Sequence, residues 1–253
     1  MSGRLSGTVG PVTALTPRDR DQMFAVFDAY YDDVTRERFD ADLVNKHDVI
    51  VLRDEAGAIR GFSTLARLTV QIDGRTHHAV FSGDTVVDEA FWGTRVLGRI
   101  FLAYLFRQRL RRPFARLWWF LISKGYKTYL LMANNFPEHW PRHERPIPDA
   151  RRQLLDALAT ELFPAHYDAP SGLIRFPAHH GRLRAGMAAT NRQLLADHPR
   201  VRFFEARNPD WAEGVELACI ASMSWTMPLR YALKAGLRGL RLGRPRWSGR
   251  RLA

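Results

Sequence analysis

The first part of the chain alternates between helical and strand-like hydrophobic patterns. Residues 16–19, Thr-Pro-Arg-Asp, suit a helix N-terminus, and apolar residues then recur at helical spacing over 23–34. A second short helix is predicted over 40–46. Three apolar strands, separated by glycine-containing turns, are predicted at residues 48–53, 60–72 and 76–87.

A second amphipathic pattern begins near Val96 and predicts a helix that ends at the Arg-Pro pair of residues 112–113. The elements predicted after it are a strand at 114–123, a helix at 124–135, a proline-rich loop at 136–148 and a helix at 149–163. Three short apolar runs follow, predicted as strands at 173–176 and 201–204 and as either type at 217–223.

This order of elements predicts an α/β fold with a mixed central sheet flanked by helices. Strands joined by hairpins are antiparallel, so most of the sheet is expected to be antiparallel. The helix that connects the third and fourth strands makes a crossover, which favours one parallel pair there. We predict a main domain over 8–165, a mixed extension packing on it over 166–235, and a basic, mobile tail over 236–253.

Composition narrows the classes of protein to consider. Hydrophobic residues make up 46% of the 253 residues, enough for a sizeable core. The single cysteine, Cys219, excludes an internal disulfide and a cysteine-rich metal site. His139 and His143 have a spacing known from metal pairs, but Pro141 between them argues against a regular helix, and we predict no metal. No apolar run is long enough for a membrane span and the start lacks a secretory pattern, so we expect a cytoplasmic protein.

The formal charge of +12 is consistent with an acidic partner, which would be nucleic acid, anionic membrane, an acidic carrier protein or a phosphorylated cofactor. A solvated, arginine-rich surface without such a partner explains the composition equally well. Part of the positive charge lies in a cluster of arginines at 107, 109, 111, 112 and 116. A second cluster occupies the tail after residue 230, where no acidic residue occurs.

Residues 83–106 combine a strand, a glycine-containing turn and a helix, an arrangement that directs backbone amides and a positive helix end at a phosphate. Here the chain resembles the GNAT superfamily, the GCN5-related N-acyltransferases, over roughly residues 8–165. The resemblance lies in DVIVLRDEAGAIRGFSTL at 48–65, SGDTVVDEAFWGTRVLGRIFLAYL at 82–105 and FLISKGYKTYLLMANNF at 120–136. It implies a GNAT-like fold and an acyl donor bound as a pantetheine thioester.

The pyrophosphate loop departs from the family's Arg/Gln-x-x-Gly-x-Gly/Ala pattern, because Arg95 and Leu97 follow Gly93 where small residues belong. This departure leaves two donors open, acyl-CoA or an acyl group on the phosphopantetheine of a carrier protein. By resemblance, the residues expected to contact the donor are Val86, Val87, Gly93, Thr94, Arg95, Val96, Leu97, Gly98, Arg99 and Asn134.

Acyl transfer to an amine needs a base, a polarised carbonyl and a proton for the leaving thiolate. Asp84 is the best candidate for the base, because partial burial in an apolar strand would raise its pKa; Glu89 is the weaker candidate. The resemblance implies that the backbone beside Val86 and Val87 holds the carbonyl. It also implies a tyrosine acid on the following helix, either Tyr126 or Tyr129, although packing alone would also explain both.

The leading hypothesis is therefore an N-acyltransferase that acts on an amine-bearing small molecule, with the extension after residue 165 shaping the acceptor pocket. An alternative is a non-catalytic GNAT-like module whose basic surface binds nucleic acid or anionic membrane; the aromatic residues form no RNA-recognition pattern. A third interpretation is a membrane-associated enzyme with a lipid substrate, whose basic tail binds anionic head groups.

Overall fold

The computed structural model describes residues 4–177, 182–183 and 192–225. Its helices are α1 (Pro17–Asp28), α2 (Arg36–Val44), α3 (Val96–Arg111), α4 (Tyr126–Asn135), α5 (Asp149–Leu162), α6 (Arg192–Asp197) and α7 (Pro199–Arg207). Its strands are β1 (Ser6–Pro11), β2 (Tyr31–Asp32), β3 (Asp48–Arg53), β4 (Ile59–Ile72), β5 (Arg75–Val87), β6 (Arg116–Ser123), β7 (His139–Trp140), β8 (Tyr167–Asp168), β9 (Leu173–Ile174), β10 (Arg182–Leu183) and β11 (Glu216–Ser222). The predicted basic tail, 236–253, lies outside the described residues.

Nine of the described strands form one twisted sheet in the order β1-β3-β4-β5-β6-β11-β9-β8, with β7 beside β11. Within it, β5 and β6 pair in parallel, and every other pairing among the described strands is antiparallel. The predicted fold class is therefore confirmed: a mixed, mostly antiparallel sheet flanked by helices, with the parallel pair on either side of the α3 crossover.

Helices cover both faces of this sheet. On one face, α1 and α2 bury Met23, Phe27 and Phe39 against β3 and β4, and α5 buries its leucines farther along the strands. On the other face, Phe101 of α3 packs against Trp119 of β6, with the ring centroids 5.0 Å apart. These layers pack against strands β5 and β6. The candidate site lies at the end of this strand pair.

Several predicted elements differ from the structure. The second helix, predicted over 40–46, is α2 at Arg36–Val44, and the strand predicted from Phe114 begins at Arg116. Two other differences are larger. The first helix begins as predicted, with a capping box between Thr16 and Asp19, but ends at Asp28. The apolar pattern continues to residue 34 because the chain still covers the same core: Tyr31, in strand β2, stacks on Phe27 at 4.5 Å. Residues 201–204, predicted as a strand, belong to helix α7, which buries Val201 and Phe204 one turn apart.

The sheet continues beyond residue 165, where we predicted the main domain to end. Strand β11 pairs with β6 from Leu217–Ser123 to Ser222–Trp118, and β9 and β8 follow it. The chain divides instead into compact units at 1–223 and 224–253, and only Ser224 and Trp225 of the second unit are described. The described strands β8, β9 and β11 thus supply part of the central sheet.

A buried arginine fastens the end of α3 to the sheet. The guanidinium of Arg109 is 8% exposed at the residue level and donates to the carbonyl oxygens of Ala115 at 2.6 Å and of Met223 at 2.9 Å. Weaker bonds reach Arg112 and Pro113. One side chain therefore satisfies buried carbonyls on the α3–β6 turn and at the end of β11 together.

We expect Arg109→Met to lower the free energy of unfolding by about 2 to 4 kcal/mol, because several carbonyls lose a charged donor while the aliphatic packing remains. Urea denaturation followed by circular dichroism measures this. Arg107→Met is the matched control, since Arg107 is exposed on the same helix. Equal stability of the two variants would contradict the role given to Arg109.

Candidate functional site

The parallel strands β5 and β6 separate before β5 ends. Their pairing runs from His77–Arg116 to Ser82–Leu121. Beyond Ser82, β5 continues to Val87 alongside β4. A cavity of about 1120 Å³ lies at this separation, lined by the ends of both strands and by residues of α1, α2 and α4.

A β-bulge shapes the cavity wall. Leu65 pairs with Ser82 and Ser63 pairs with Thr85, so Gly83 and Asp84 of β5 together oppose Thr64 alone. Such a bulge redirects side chains and locally bends the strand. At Gly83 a Cβ atom would lie 2.7 Å from Thr64 Oγ1, so glycine permits this close approach. Asp84 lines the cavity as a result.

The backbone after the bulge presents polar groups to the gap between the strands. Asp88 N donates to Arg60 O at 2.8 Å, so the amides of Asp88 and, two residues earlier, Val86 face β4. Successive residues of a strand direct their backbone groups to opposite sides, so the amide and carbonyl of Val87 point away from β4. The Val87 carbonyl accepts a hydrogen bond from Trp92 Nε1 at 2.7 Å. The Val87 N–H therefore points towards the gap.

Two carboxylates, of Asp42 and Asp84, and the amine of Lys46 interact on one wall of the cavity. Lys46 Nζ lies 2.6 Å from Asp42 Oδ2, and Asp42 shares a side-chain hydrogen bond with Asp84. Burial, followed by the charge of Asp42, raises the pKa of Asp84 to about 7. Burial acts to raise the pKa of Asp42, but Lys46, the hydrogen bond with Asp84 and the charge of Arg38 together keep that pKa below its ordinary value. Asp84 is therefore the member of the pair that holds a proton near neutral pH.

A second ion pair lies across the cavity from Asp84. Lys124 Nζ is 3.5 Å from Glu216 Oε1, and it also lies 5.4 Å from the centroid of the Tyr31 ring. Burial raises the pKa of Glu216, and Lys124 limits that rise. Burial and the charges of Asp84 and Glu216 raise the pKa of Tyr31 well above its ordinary value, so the phenol stays protonated.

The remaining wall is largely apolar. The apolar side chains come from β5, β6, α5 and the segment after α5: Phe81, Val86, Trp119, Ile122, Leu162, Phe163 and Phe176. Such a wall excludes water from the part of a ligand that lies against it.

The predicted pyrophosphate loop adjoins the cavity at Trp92, whose ring lies 5.0 Å from Lys127 Nζ. Gly93 has a φ of 85°, which glycine adopts without strain. Helix α3 begins at Val96, behind Arg95 as its N-cap, and no side-chain hydrogen bond caps it. The residues predicted to contact the donor here are all exposed or half-buried and lie beside the cavity rather than in its wall: Gly93, Thr94, Arg95, Val96, Leu97, Gly98 and Arg99.

Three further predicted site residues also lie outside the cavity lining. Tyr129 is fully buried, and its hydroxyl donates to Pro141 O at 3.2 Å. Tyr126 is half-buried on the same helix, and the face of α4 towards the cavity instead carries Lys127, Thr128 and Leu131. Asn134 is exposed, and its Oδ1 accepts from Arg200 at 2.7 Å. The structure thus separates these residues from Asp84, Val86 and Val87, which it brings together.

Several cavity residues were not identified from the sequence. Tyr31 had been assigned to an amphipathic helix, and Asp42 and Lys46 lie on and after a helix whose partners a sequence does not specify. Glu216 and Lys124 are distant in the chain and meet only because β11 pairs with β6. Their one sequence signal is a charged residue beside an apolar strand.

Within the described residues, no group of three or more His, Cys, Asp or Glu side chains is arranged to hold a metal ion. No described helix is long and apolar enough to cross a bilayer.

No family model and no curated protein matches the chain. Among solved structures, it is similar to an Enterococcus faecalis protein of unknown function, described as a probable N-acyltransferase (12% identity, TM-score 0.40), covering 66% of this chain and 45% of that one. It is also similar to an Escherichia coli GNAT-family N-acetyltransferase in complex with CoA (16%, 0.36, covering 57% and 79%). A third is an aminoglycoside acetyltransferase from an uncultured soil sample, in complex with sisomicin (16%, 0.37, covering 57% and 92%).

The chain spans less than half the length of the Enterococcus protein. At such low identities and TM-scores, these similarities carry no conclusion about the reaction.

The raised pKa of Asp84 has a consequence for stability. Because the folded state binds this proton more tightly, stability is greatest below the unfolded pKa near ~4 and is lost as the pH rises through about 7. Asp84→Asn cannot ionise, so we expect it to be more stable than the wild type at alkaline pH, by roughly 1 to 3 kcal/mol. The difference should shrink as the pH falls towards ~4.

Urea denaturation across this pH range measures the effect. Asp73→Asn is the control, since Asp73 is exposed in the β4–β5 turn. A pH-independent difference between Asp84→Asn and the wild type would contradict the proposed ionisation.

Proposed function

We propose that this protein transfers an acyl group from a pantetheine thioester to an amine. The observation that carries the proposal is the gap between the parallel strands β5 and β6, with Asp84 in its wall and a backbone amide facing into it. A slender thioester arm can lie along Val86 and Val87 there, as an additional strand would. The acceptor amine would approach from the side of Asp42 and Lys46.

The donor's phosphates would bind beside the cavity at the start of α3. The first amides of a helix lack intrahelical partners and attract anions. Arg95 and Arg99 add positive charge there. The thioester carbonyl would accept a hydrogen bond from the Val87 N–H, which stabilises the charge that develops on its oxygen. Both acyl-CoA and an acylated carrier protein present the same pantetheine arm, and the assay below compares them.

Asp84 would act as the base. An amine acceptor arrives mostly as an ammonium ion, and a carboxylate with a pKa of about 7 can remove that proton near neutral pH. The free amine then attacks the carbonyl carbon, and the new C–N bond forms as the C–S bond breaks. The nitrogen loses its excess proton to the phenolate of Tyr31 that remains once the leaving thiolate has taken a proton, and Asp84 releases the first amine proton to solvent. Asp42 and Lys46 hold Asp84 in place and tune its proton affinity.

The leaving thiolate needs a proton, and Tyr31 is the candidate donor. It lines the cavity, stacks on Phe27, and remains protonated because burial and nearby carboxylates raise its pKa. Tyr129 and Tyr126, the donors expected from the sequence, are not in the cavity lining. We therefore transfer this role to Tyr31.

The size of the cavity favours a substrate larger than an acetyl group. Its volume of about 1120 Å³ exceeds what most single small-molecule sites provide, roughly 300–1,000 Å³. The wall formed by Phe81, Leu162, Phe163 and Phe176 suits an apolar chain or ring. We expect acyl donors with several methylene groups to be used better than acetyl donors.

Asp84→Asn should reduce kcat/KM for acyl transfer by about 10²- to 10⁴-fold, because the ammonium can no longer be deprotonated in the site. Thiol release would be followed with acetyl-, octanoyl- and palmitoyl-CoA, and with an octanoylated carrier protein, against a panel of amines. In the wild type, kcat/KM should rise with pH through an apparent pKa near 7, and the variant should lack this limb.

Glu89→Gln is the matched control, since Glu89 is an exposed carboxylate just beyond the same strand. It should retain near wild-type rates. Unchanged thiol release in folded Asp84→Asn would exclude Asp84 as the base. Absence of release from every donor with every amine would count against acyl transfer itself.

Tyr31→Phe should lower kcat by roughly 10- to 100-fold with little change in KM, since the phenol acts on the leaving group. Tyr129→Phe is the control, because its hydroxyl bonds to Pro141 O away from the cavity, and it should keep its kcat. Steady-state kinetics on both variants tests which of the two tyrosines donates the proton. The reverse ranking would restore Tyr129 as the proton donor and contradict the assignment of Tyr31.

A further inference from the structure

The turn between α3 and β6 projects an apolar side chain into solvent. Phe114 is 99% exposed and Leu110, on the last turn of α3, is 55% exposed. We had predicted Phe114 as the first residue of a buried strand, but β6 begins at Arg116. An exposed phenylalanine at the tip of a turn has no packing role within the described protein, so its apolar surface calls for another explanation.

Hydrogen bonds from a buried arginine hold this turn in place. The buried guanidinium of Arg109 donates to the carbonyl oxygens of Arg112, Pro113 and Ala115, which are the residues on both sides of Phe114. The turn is therefore fastened to the sheet, and Phe114 is presented at a fixed position.

Arginines surround the apolar tip. Arg107 and Arg111 flank Leu110 on the exposed face of α3, and Arg112 and Arg116 lie on either side of Phe114; all four are exposed. The adjacent β4–β5 turn carries one further exposed arginine, Arg75, and one acidic residue, Asp73. Residues 90–137, which include the whole of α3 and β6, contain no aspartate or glutamate.

We propose that this surface, formed by Leu110, Phe114 and the four arginines at 107, 111, 112 and 116, docks the protein on a membrane containing anionic lipids. Phe114 and Leu110 enter the interface between head groups and acyl chains, and the guanidinium groups bind lipid phosphates. Apolar insertion combined with attraction between unlike charges is the pairing that stable peripheral binding requires.

The exposed apolar side chains favour a membrane over nucleic acid as the partner of this surface. A duplex backbone would use the arginines but would leave Phe114 in water, whereas a bilayer uses both. Two apolar side chains inside a ring of like charges also provide far less apolar area than the core of a stable protein interface.

The surface lies at the opposite end of the sheet from the cavity. Arg116 begins β6 and pairs with His77 near the start of β5, whereas the cavity lies where the same two strands end. Docking therefore leaves the cavity open, and membrane binding and acyl transfer can be tested independently.

Co-sedimentation of the full chain with vesicles tests the proposal. We expect binding to vesicles of phosphatidylcholine mixed with phosphatidylglycerol, but not to phosphatidylcholine alone, and weaker binding at high salt. Phe114→Ser should lower the affinity about tenfold, since the apolar contact is lost. Arg111→Gln and Arg112→Gln should each lower it by roughly threefold to fivefold.

Val44→Ser is the matched control, because Val44 is a 74% exposed apolar residue on α2 and lies outside the proposed surface. It should bind as the wild type does. The arginines after residue 230 are present in every variant, so a loss in Phe114→Ser belongs to this turn. The proposal is overturned if the wild type does not bind the mixed vesicles, or if Phe114→Ser binds them equally well. It is also overturned if duplex DNA binds more tightly than the vesicles and Phe114→Ser leaves that binding unchanged.

Discussion

The separation of two parallel strands determines most of what this protein can do. Strands β5 and β6 share hydrogen bonds up to Ser82 and Leu121, and β5 then continues alongside β4. The bulge at Gly83 and Asp84 lies at the point of separation. A sheet that stayed closed would have neither the cavity nor an edge of backbone amides facing into it. The helices on both faces hold the strands apart by packing against each of them.

The charges in the cavity follow from the same geometry. Asp84, directed inward by the bulge, lies beside Asp42, and two adjacent carboxylates in a buried site cannot both ionise easily. Lys46 stabilises Asp42 as the anion, which leaves Asp84 to hold the proton. The raised pKa of Asp84 thus costs the protein stability at alkaline pH, a conflict common at functional sites.

The sequence predicted the parts that depend on local patterns. Hairpin turns and apolar runs predicted β3, β4 and β5, and the position of Asp84 within an apolar strand predicted the raised pKa of its carboxyl. The end of α1 was missed because Tyr31 covers the same core as Phe27 after the helix has stopped. Helix α7 was predicted as a strand because Val201 and Phe203 fit a period of two, whereas the structure buries Val201 and Phe204 at helical spacing. Glu216 and Lys124 meet only through the long-range pairing of β11 with β6, which no local pattern encodes.

We propose that the gap between β5 and β6 receives a pantetheine arm. A crystal structure determined in the presence of coenzyme A, which carries that arm, tests this most directly. We expect the arm to lie along Val86 and Val87, hydrogen-bonded to the Val87 N–H, with its sulfur beside Asp84 and its phosphates at the start of α3. Coenzyme A bound elsewhere on the protein, with the gap filled only by solvent, would contradict it.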